Sequence, residues 1–359
     1  IHRLNHLYQS NLNTNQVTLI EGKAQLINQT TIGVHGDRLS ADHILVATGG
    51  YPSRPDIPGA ELGLTSDDFF ELESPPRRVA VVGAGYIAVE LSSIFNALGC
   101  DTELFLRHER PLRSFDSLLG NSLIESFNHQ GIRTHSHTLL KALKPHGNTF
   151  SLKDDKDQIY PDFDQVFWAT GRTPNTRDLG LEEAGVELTP TGHIQVNSEF
   201  NTNVDSIFAV GDVTLYPPLT PVAIACGRYL ADRLFGASPA LLPRTDTIPT
   251  AIFSHPPAAT VGLSEHEAVA QYGRDAVLVK NTSFKPMYYG LSRASSESRI
   301  KVILLKQDQR LLGFHMVGKD ADEIIQGMAV AINAGATFND LRQTIAVHPT
   351  SAEEIVLLK

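Results

Sequence analysis

Two hydrophobic periods alternate along the chain. Leu4, Leu7, Tyr8 and Leu12 recur at helical spacing across residues 1–13, and two strand-like stretches follow, VTLIEGKAQLI and TTIGVHG. This pattern predicts a helix feeding a small sheet. An apolar strand, His43–Ala47, then breaks at Gly49–Gly50 into the Pro-rich crossing YPSRPDIPG, which marks a domain boundary. From Arg78 the order becomes strand, glycine turn, helix, strand over RVAVVGAGYIAVELSSIFNALGCDTELFLR. That order predicts a βαβ unit, and with it a parallel sheet covered by helices. Two further apolar strands lie in QVFWATGRTPN and SIFAVGD, the second ahead of the helix-like PVAIACGRYLADRLF. Beyond about Ile248, alternating runs (RIKVILLK, LLGFHMVG) and amphipathic segments (ADEIIQGMAVAINAG, SAEEIVLLK) predict a separate α+β unit with an antiparallel sheet.

Composition narrows the function classes. With 359 residues, 42% of them hydrophobic and 19% charged, the chain is a globular protein of two or three domains. A formal net charge of −10 argues against a nucleic-acid-coating protein. No run approaches the ~18 apolar residues of a membrane span, and no signal-peptide pattern opens the chain, so no membrane partner and a cytoplasmic location are expected. Cys100 and Cys226 are the only cysteines, which excludes a disulfide framework and an all-cysteine metal site; no metal is expected. The chain begins at Ile1 in what reads as mid-helix, so a missing N-terminal part is expected.

Four motifs carry chemistry. Gly83-Ala84-Gly85-Tyr86-Ile87-Ala88 sits directly between the strand Val79–Val82 and a helix, the context a dinucleotide fingerprint requires. Gly83 permits the tight turn, Gly85 lets backbone approach a pyrophosphate, and Ala88 permits close helix–strand packing. The alternative is a glycine turn with no ligand. At the end of the next strand, where NAD enzymes carry a ribose-binding carboxylate, stands Arg107, with Arg113 in the following loop. Two guanidinium groups suit a 2′-phosphate and hence NADPH, against a merely solvated basic loop or Glu109 as a rival ribose ligand. Gly211-Asp212 leaves an apolar strand and is either an ordinary turn or a site for cofactor hydroxyls. Finally, His348-Pro349-Thr350-Ser351-Ala352-Glu353 contains T-x-x-E. Glu353 either closes a capping box or orients His348 for acid–base catalysis.

In this order the motifs resemble the class I pyridine nucleotide-disulfide oxidoreductases, the flavoprotein disulfide reductases, and most closely their glutathione reductases. The resemblance rests on ADHILVATGG, GAGYIAVELSSIFNALG, RHERPLRSFD, VFWATGRTPN, IFAVGDV, LTPVAIACGR, IPTAIFSHPPAATVGLSE and VHPTSAEE. It implies Rossmann-type FAD- and NADPH-binding domains plus a C-terminal α+β dimerisation domain. The implied boundaries are 1–50 for the remaining part of the FAD domain, 51–174 for the NADPH domain, 175–245 for the return of the FAD domain, and 246–359 for the dimer interface. NADPH contacts are implied for Gly83, Ala84, Gly85, Tyr86, Ile87, Glu90, Arg107, Arg113, Gly171 and Ala251, with Tyr86 as a lid over the nicotinamide pocket and Glu90 near the flavin-side region. FAD contacts are implied for Ala24, Gly49, Asp212, Thr220 and His348. Tyr8 and Arg228 match contacts to glutathione disulfide, and His348, oriented by Glu353, matches the proton donor and acceptor for the substrate thiol in the other subunit's site of a homodimer.

Two departures accompany the resemblance. Leu357 stands where glutathione reductases often carry Thr, and neither the first FAD fingerprint nor a C-x4-C redox pair occurs in the sequence. Cys100 and Cys226 read as small buried thiols. The expected function is therefore NADPH-dependent reduction of glutathione disulfide through FAD and a dithiol, with roughly 90–110 residues expected upstream to complete the nucleotide-binding fold. The alternatives are a catalytically incompetent NADPH-binding and dimerising module, or a reductase of another disulfide.

Overall fold

A computed structural model describes residues 2–236, 240–291 and 297–359; Ile1, the first residue of the predicted helix, lies outside them. The chain divides into two compact units, one of residues 1–51 and 173–243, the other of residues 52–172 and 244–359.

The first unit opens on the helix His2–Thr14, none of whose residues is buried. A three-stranded antiparallel meander follows, Gln25–Asn28, Thr31–Val34 and Asp37–Ser40. Of the predicted stretch VTLIEGKAQLI only the end forms a strand, Gln25–Asn28. Val17, Leu19 and Ile20 are about half exposed in irregular backbone, and the Val17 amide donates to the Leu12 carbonyl at the end of the helix at 2.9 Å. Ile44–Val46 instead pairs in parallel with Ile207–Ala209. Ile44, Val46, Ile207 and Ala209 fill a core with Leu181, Val186 and Ile194.

In the second unit, a five-stranded parallel sheet has the order Leu64–Thr65, Gln165–Trp168, Arg78–Val82, Asp101–Phe105, Arg133–His135. Its central strand explains the uninterrupted apolar run. Val79 and Val81 pack with Val89 and Phe95 of the helix Tyr86–Ala97, whereas Ala80 and Val82 face Phe105, Phe163 and Trp168. A strand covered on both faces has no solvent side for polar residues to occupy. The rest of this unit is a five-stranded antiparallel sheet, with Ala258–Gly262, Leu311–Val317 and Ser298–Leu305 at its centre, backed by the helix Ala321–Asn333.

A buried ionic cluster fastens the antiparallel sheet to the nucleotide-type sheet. Asp116, its side chain 1% exposed, caps the helix Ser117–Gln130 through the Leu118 amide at 2.9 Å and accepts the Glu265 amide at 3.0 Å. Lys301 Nζ lies 2.9 Å from both Asp116 oxygens and 2.8 Å from Glu265. Burial pushes the Asp116 carboxyl up, but His315, the two amides and Lys301 outweigh it and hold the group below its ordinary value. A second buried carboxylate, Glu103, binds Arg78 at 2.6 Å, Arg133 at 2.7 Å and His135 at 2.6 Å. Burial again opposes ionisation, yet His135, Arg133 and Arg78 bring it down to about 2.

Replacing Asp116 by Ala leaves the buried Lys301 ammonium with only the half-buried Glu265 as counter-charge and removes the acceptor of two amides, and a loss of about 3 kcal/mol in urea unfolding is expected. A loss under about 1 kcal/mol would show that the cluster does not hold the two sheets together. Glu103 gives a pH signature. Its folded value is depressed, so its contribution is complete above the unfolded value of 4.5 and disappears as pH falls toward 2. Chemical unfolding across that window should lose about 2–3 kcal/mol in the wild type and markedly less in Glu103→Gln.

Candidate functional site

The dinucleotide turn is built from backbone. Gly83 adopts φ 147°, and a Cβ there would fall 2.1 Å from the Ala169 carbonyl oxygen, so only glycine fits between the two strand ends. Gly85 precedes the helix Tyr86–Ala97 with no side-chain cap and open space where a Cβ would stand. The helix therefore opens, N-terminus first, onto a glycine-lined approach, which fits a pyrophosphate. Ala84, Tyr86 and Ile87 are half-buried against the core below. The basic loop lies beside the turn, because Leu112, at φ 56°, donates its amide to the Ala84 carbonyl at 2.7 Å. Arg107 and Arg113 on that loop are exposed and make no ion pair with a described residue. Their field is felt at His108, driven below its ordinary value first by desolvation and then by Arg113, Arg107 and His137. Glu109 opposes this and lies 3.6 Å from Arg110. The turn, the helix start and the arginines thus form one anion-receptive surface that fits NADPH.

Glu90 and Ala251 share a neighbourhood on the same unit. The Glu90 carboxylate accepts the Phe253 amide at 2.9 Å, two residues beyond Ala251 on the strand Thr250–Ile252, and burial pushes its carboxyl up. Ser93 and Gln130 add hydrogen bonds to the His255 amide and carbonyl at 3.2 and 2.7 Å. Gly171, at φ 140°, accepts the Ser53 amide at 2.9 Å, but no described contact joins it to the Gly83 turn.

His348 and Glu353 meet directly. The imidazole Nδ1 is 2.9 and 3.1 Å from the two carboxylate oxygens of Glu353; His348 is exposed and Glu353 largely covered. Because a carboxylate only accepts, Nδ1 donates to it, and Nε2 is the ring nitrogen that Glu353 does not engage. The capping-box reading needs correction. The Glu353 amide donates to Thr350 Oγ1 at 3.2 Å, but the Glu353 side chain binds His348 and does not return to the Thr350 amide. The last helix, Glu353–Val356, is only one turn long.

In the other unit, Gly49 has φ 70° with open space around it, and a Cβ on Gly50 would stand 3.6 Å from the Asp212 Cβ. Gly211, at φ 76°, packs against Ala223 in the first turn of the helix Thr220–Phe235. These approaches bring the turn at Gly49–Gly50 close to Asp212, and Gly211 close to the first turn of the helix that Thr220 begins. Ala24 and Tyr8 are exposed and are not joined to that group by any described contact. Arg228 is exposed on the helix without an ion pair to a described residue. A cleft of about 840 Å³ beside Gln25, Arg177 and Glu183 holds none of the expected site residues. Cys100 and Cys226 are both buried, and burial raises both thiols. The sequence reading missed His108 and His137 as part of the basic surface; the first was visible beside Arg107, the second emerges only from strand pairing.

Comparison with known proteins agrees with this geometry. The pyridine nucleotide-disulphide oxidoreductase family matches residues 1–227, and its dimerisation domain matches residues 248–358. Glutathione reductase of Schizosaccharomyces pombe is 41% identical over all of this chain and 79% of its own length. The HOCl-induced flavoprotein disulfide reductase RclA of Escherichia coli shares the fold, with a TM-score of 0.87 and 24% identity over 99% of this chain and 84% of the other. Matches to both family domains across nearly the whole chain, and 41% identity to a curated glutathione reductase, show that this chain belongs to the pyridine nucleotide-disulphide oxidoreductase family.

Proposed function

We propose that the chain supplies the NADPH-binding, substrate-orienting and dimer-forming parts of a glutathione-disulfide reductase that works as a cytoplasmic homodimer. The observation that carries this reading is the His348–Glu353 pair, a proton donor whose tautomer is set by a largely covered carboxylate. When bound, NADPH and FAD supply the hydride and electron-transfer chemistry. The protein's contribution is placement and charge. The turn at Gly83–Gly85 and the helix behind it receive the pyrophosphate, while Arg107 and Arg113 attract the 2′-phosphate. Glu90 holds the backbone after Ala251 in place, Gly171 lines the nucleotide path, and Tyr86 and Ile87 border the nicotinamide side. Gly49, Asp212 and Thr220 hold the flavin nucleotide on the other unit, with Ala24 toward its adenine.

On the substrate side, Arg228 and Tyr8 would bind glutathione disulfide, an anion whose carboxylates a free guanidinium attracts. His348 Nε2 then delivers a proton to the departing glutathione thiolate, giving the neutral thiol, while Glu353 stabilises the imidazolium beforehand. Cys100 and Cys226 are excluded from the thiol chemistry, since buried thiols with raised values form little thiolate. The redox dithiol is not among these 359 residues.

The substrate assignment is tested in the FAD-loaded, dithiol-bearing enzyme by NADPH oxidation with glutathione, trypanothione and lipoamide disulfides in parallel. Glutathione disulfide should be preferred, and Arg228→Ala should raise its KM about tenfold, the loss of one charge-assisted bond. Stopped-flow reduction of the flavin by NADPH should not change in that variant. Equal turnover of all three disulfides would overturn the assignment. For the cofactor, Arg107→Glu combined with Arg113→Ala removes the phosphate's partners and supplies a ribose acceptor. The kcat/KM ratio of NADPH to NADH should fall by at least about a hundredfold, since two charge-assisted contacts are lost, and an unchanged ratio would remove the arginines from the site.

A further inference from the structure

The loop that carries Arg107 and Arg113 is wedged between two other elements by a single peptide group. On one side stands the helix Ser117–Gln130, which has a buried glycine, Gly120, in its second turn. Glycine weakens a helix interior relative to alanine, so a packing reason is needed for it there. The loop supplies that reason. A Cβ at position 120 would stand 2.4 Å from the Pro111 carbonyl oxygen, 3.2 Å from Arg110 Nη1 and 3.4 Å from Arg110 Cδ. The last two atoms belong to a long side chain that can give way, whereas the first is backbone. Ordinary contact with that oxygen begins at 3.4 Å, so any side chain at position 120 requires a shift of about 1 Å.

The same peptide group faces the dinucleotide turn. The Pro111 carbonyl and the Leu112 amide belong to one planar trans peptide, so the oxygen and the N–H point in opposite directions. The oxygen lies against Gly120, and the N–H donates to the Ala84 carbonyl at 2.7 Å. The order across this region is therefore helix, peptide, turn, with no space left for a methyl group. Neither outer member is free to retreat. The helix is held at its start by Asp116, which takes Lys301 at 2.9 Å, and along its buried side by Leu119, Leu123 and Phe127 in the core. Ala84 follows Gly83, whose close approach to the Ala169 carbonyl fixes the turn. Leu112, buried at φ 56°, holds a left-handed backbone that leucine adopts only where its surroundings impose it. Arg113 leaves the loop directly from that residue.

We propose that Gly120 is a positioning residue for the arginine loop. The absence of a side chain at this helical position lets the Pro111–Leu112 peptide sit flush against the helix and so sets where Arg107 and Arg113 stand relative to the dinucleotide turn. Gly120 acts through that peptide and not by contact with the ligand. The proposal rests on the reading that the Arg107–Arg113 loop receives the 2′-phosphate.

The test measures calorimetric binding of adenosine 2′,5′-bisphosphate and adenosine 5′-monophosphate to the full chain. Gly120→Ala should weaken the bisphosphate about tenfold, the loss of one charge-assisted contact, and leave the monophosphate within about twofold of wild type. Gly327→Ala is the control, a glycine of the helix Ala321–Asn333 with open space where a Cβ would stand, and it should change neither affinity. A packing role alone would lower stability without separating the two nucleotides. Equal loss of both, or an unchanged bisphosphate affinity in a folded Gly120→Ala chain, therefore overturns the proposal. A second measurement needs no variant. Hydrogen exchange of the ligand-free wild type should show the Leu112 amide protected like those of the strand Asp101–Phe105, and a Leu112 amide that exchanges as fast as an exposed loop also overturns it. Arg107→Ala checks the loop separately. If wild type shows no preference for the bisphosphate, or Arg107→Ala keeps that preference, the reading of the loop fails and the proposal with it. If Arg107→Ala abolishes the preference while Gly120→Ala leaves it intact, that reading stands and only the role of Gly120 falls.

Discussion

A buried carboxylate with no room to hydrate must be satisfied by protein alone, and Asp116 is where this unit meets that demand. Its oxygens take the Leu118 amide, the Glu265 amide and the Lys301 ammonium, groups drawn from three separate stretches of chain. The nucleotide site inherits its geometry from this arrangement. The basic loop leaves the parallel sheet at Leu106 and ends at Asp116; midway, Leu112 is buried in a left-handed conformation and bonded to Ala84. Both ends and the middle of the loop are therefore fixed before any ligand arrives. Arginines carried on such a loop lose little further backbone freedom on binding an anion.

The same logic explains what was legible in the sequence. The turn at Gly83 could be read because its requirement is local: a strand, a glycine without space for a side chain, and a helix within a few residues. Arg107 could be read because the end of the second strand lies at a fixed distance along a βαβ unit. Asp116 could not, since Lys301 is 185 residues away and nothing in either residue's surroundings announces the other. His137 was hidden for a related reason. Its position beside His108 depends on the parallel register of two strands joined through a helix, a register the hydrophobic pattern alone does not reveal. The stretch VTLIEGKAQLI erred in the opposite direction, since only its end pairs as Gln25–Asn28: an apolar run states a propensity but a strand also needs a neighbour.

His348 and Glu353 illustrate a limit of motif reading. T-x-x-E describes a backbone geometry in which the carboxylate folds back on the helix start, and the same four residues satisfy half of that geometry here. The carboxylate is diverted because an imidazole stands within reach and offers a stronger partner than a backbone amide when charged. A motif names which groups are close, while competition among acceptors and donors decides which bonds form. The diversion sets the tautomer of His348, which a capping glutamate would leave unset.

The charge of the whole molecule sharpens the role of the basic loop. At a formal net charge of −10 the chain repels a polyanionic dinucleotide at long range. Screening confines that repulsion to about 8 Å at physiological ionic strength, so the local sign of the potential governs the final approach. Glu109 shows how narrow the balance is. Its carboxylate is the only acidic side chain between Arg107 and Arg113, and its effect at His108 is outweighed by both arginines. With Arg110 3.6 Å away, Glu109 is also partly neutralised and poorly placed to serve as a ribose acceptor for NADH. In the proposed reading, preference for a phosphorylated ribose comes from two effects acting together, an excess of positive charge on the loop and the occupation of the one carboxylate between the arginines.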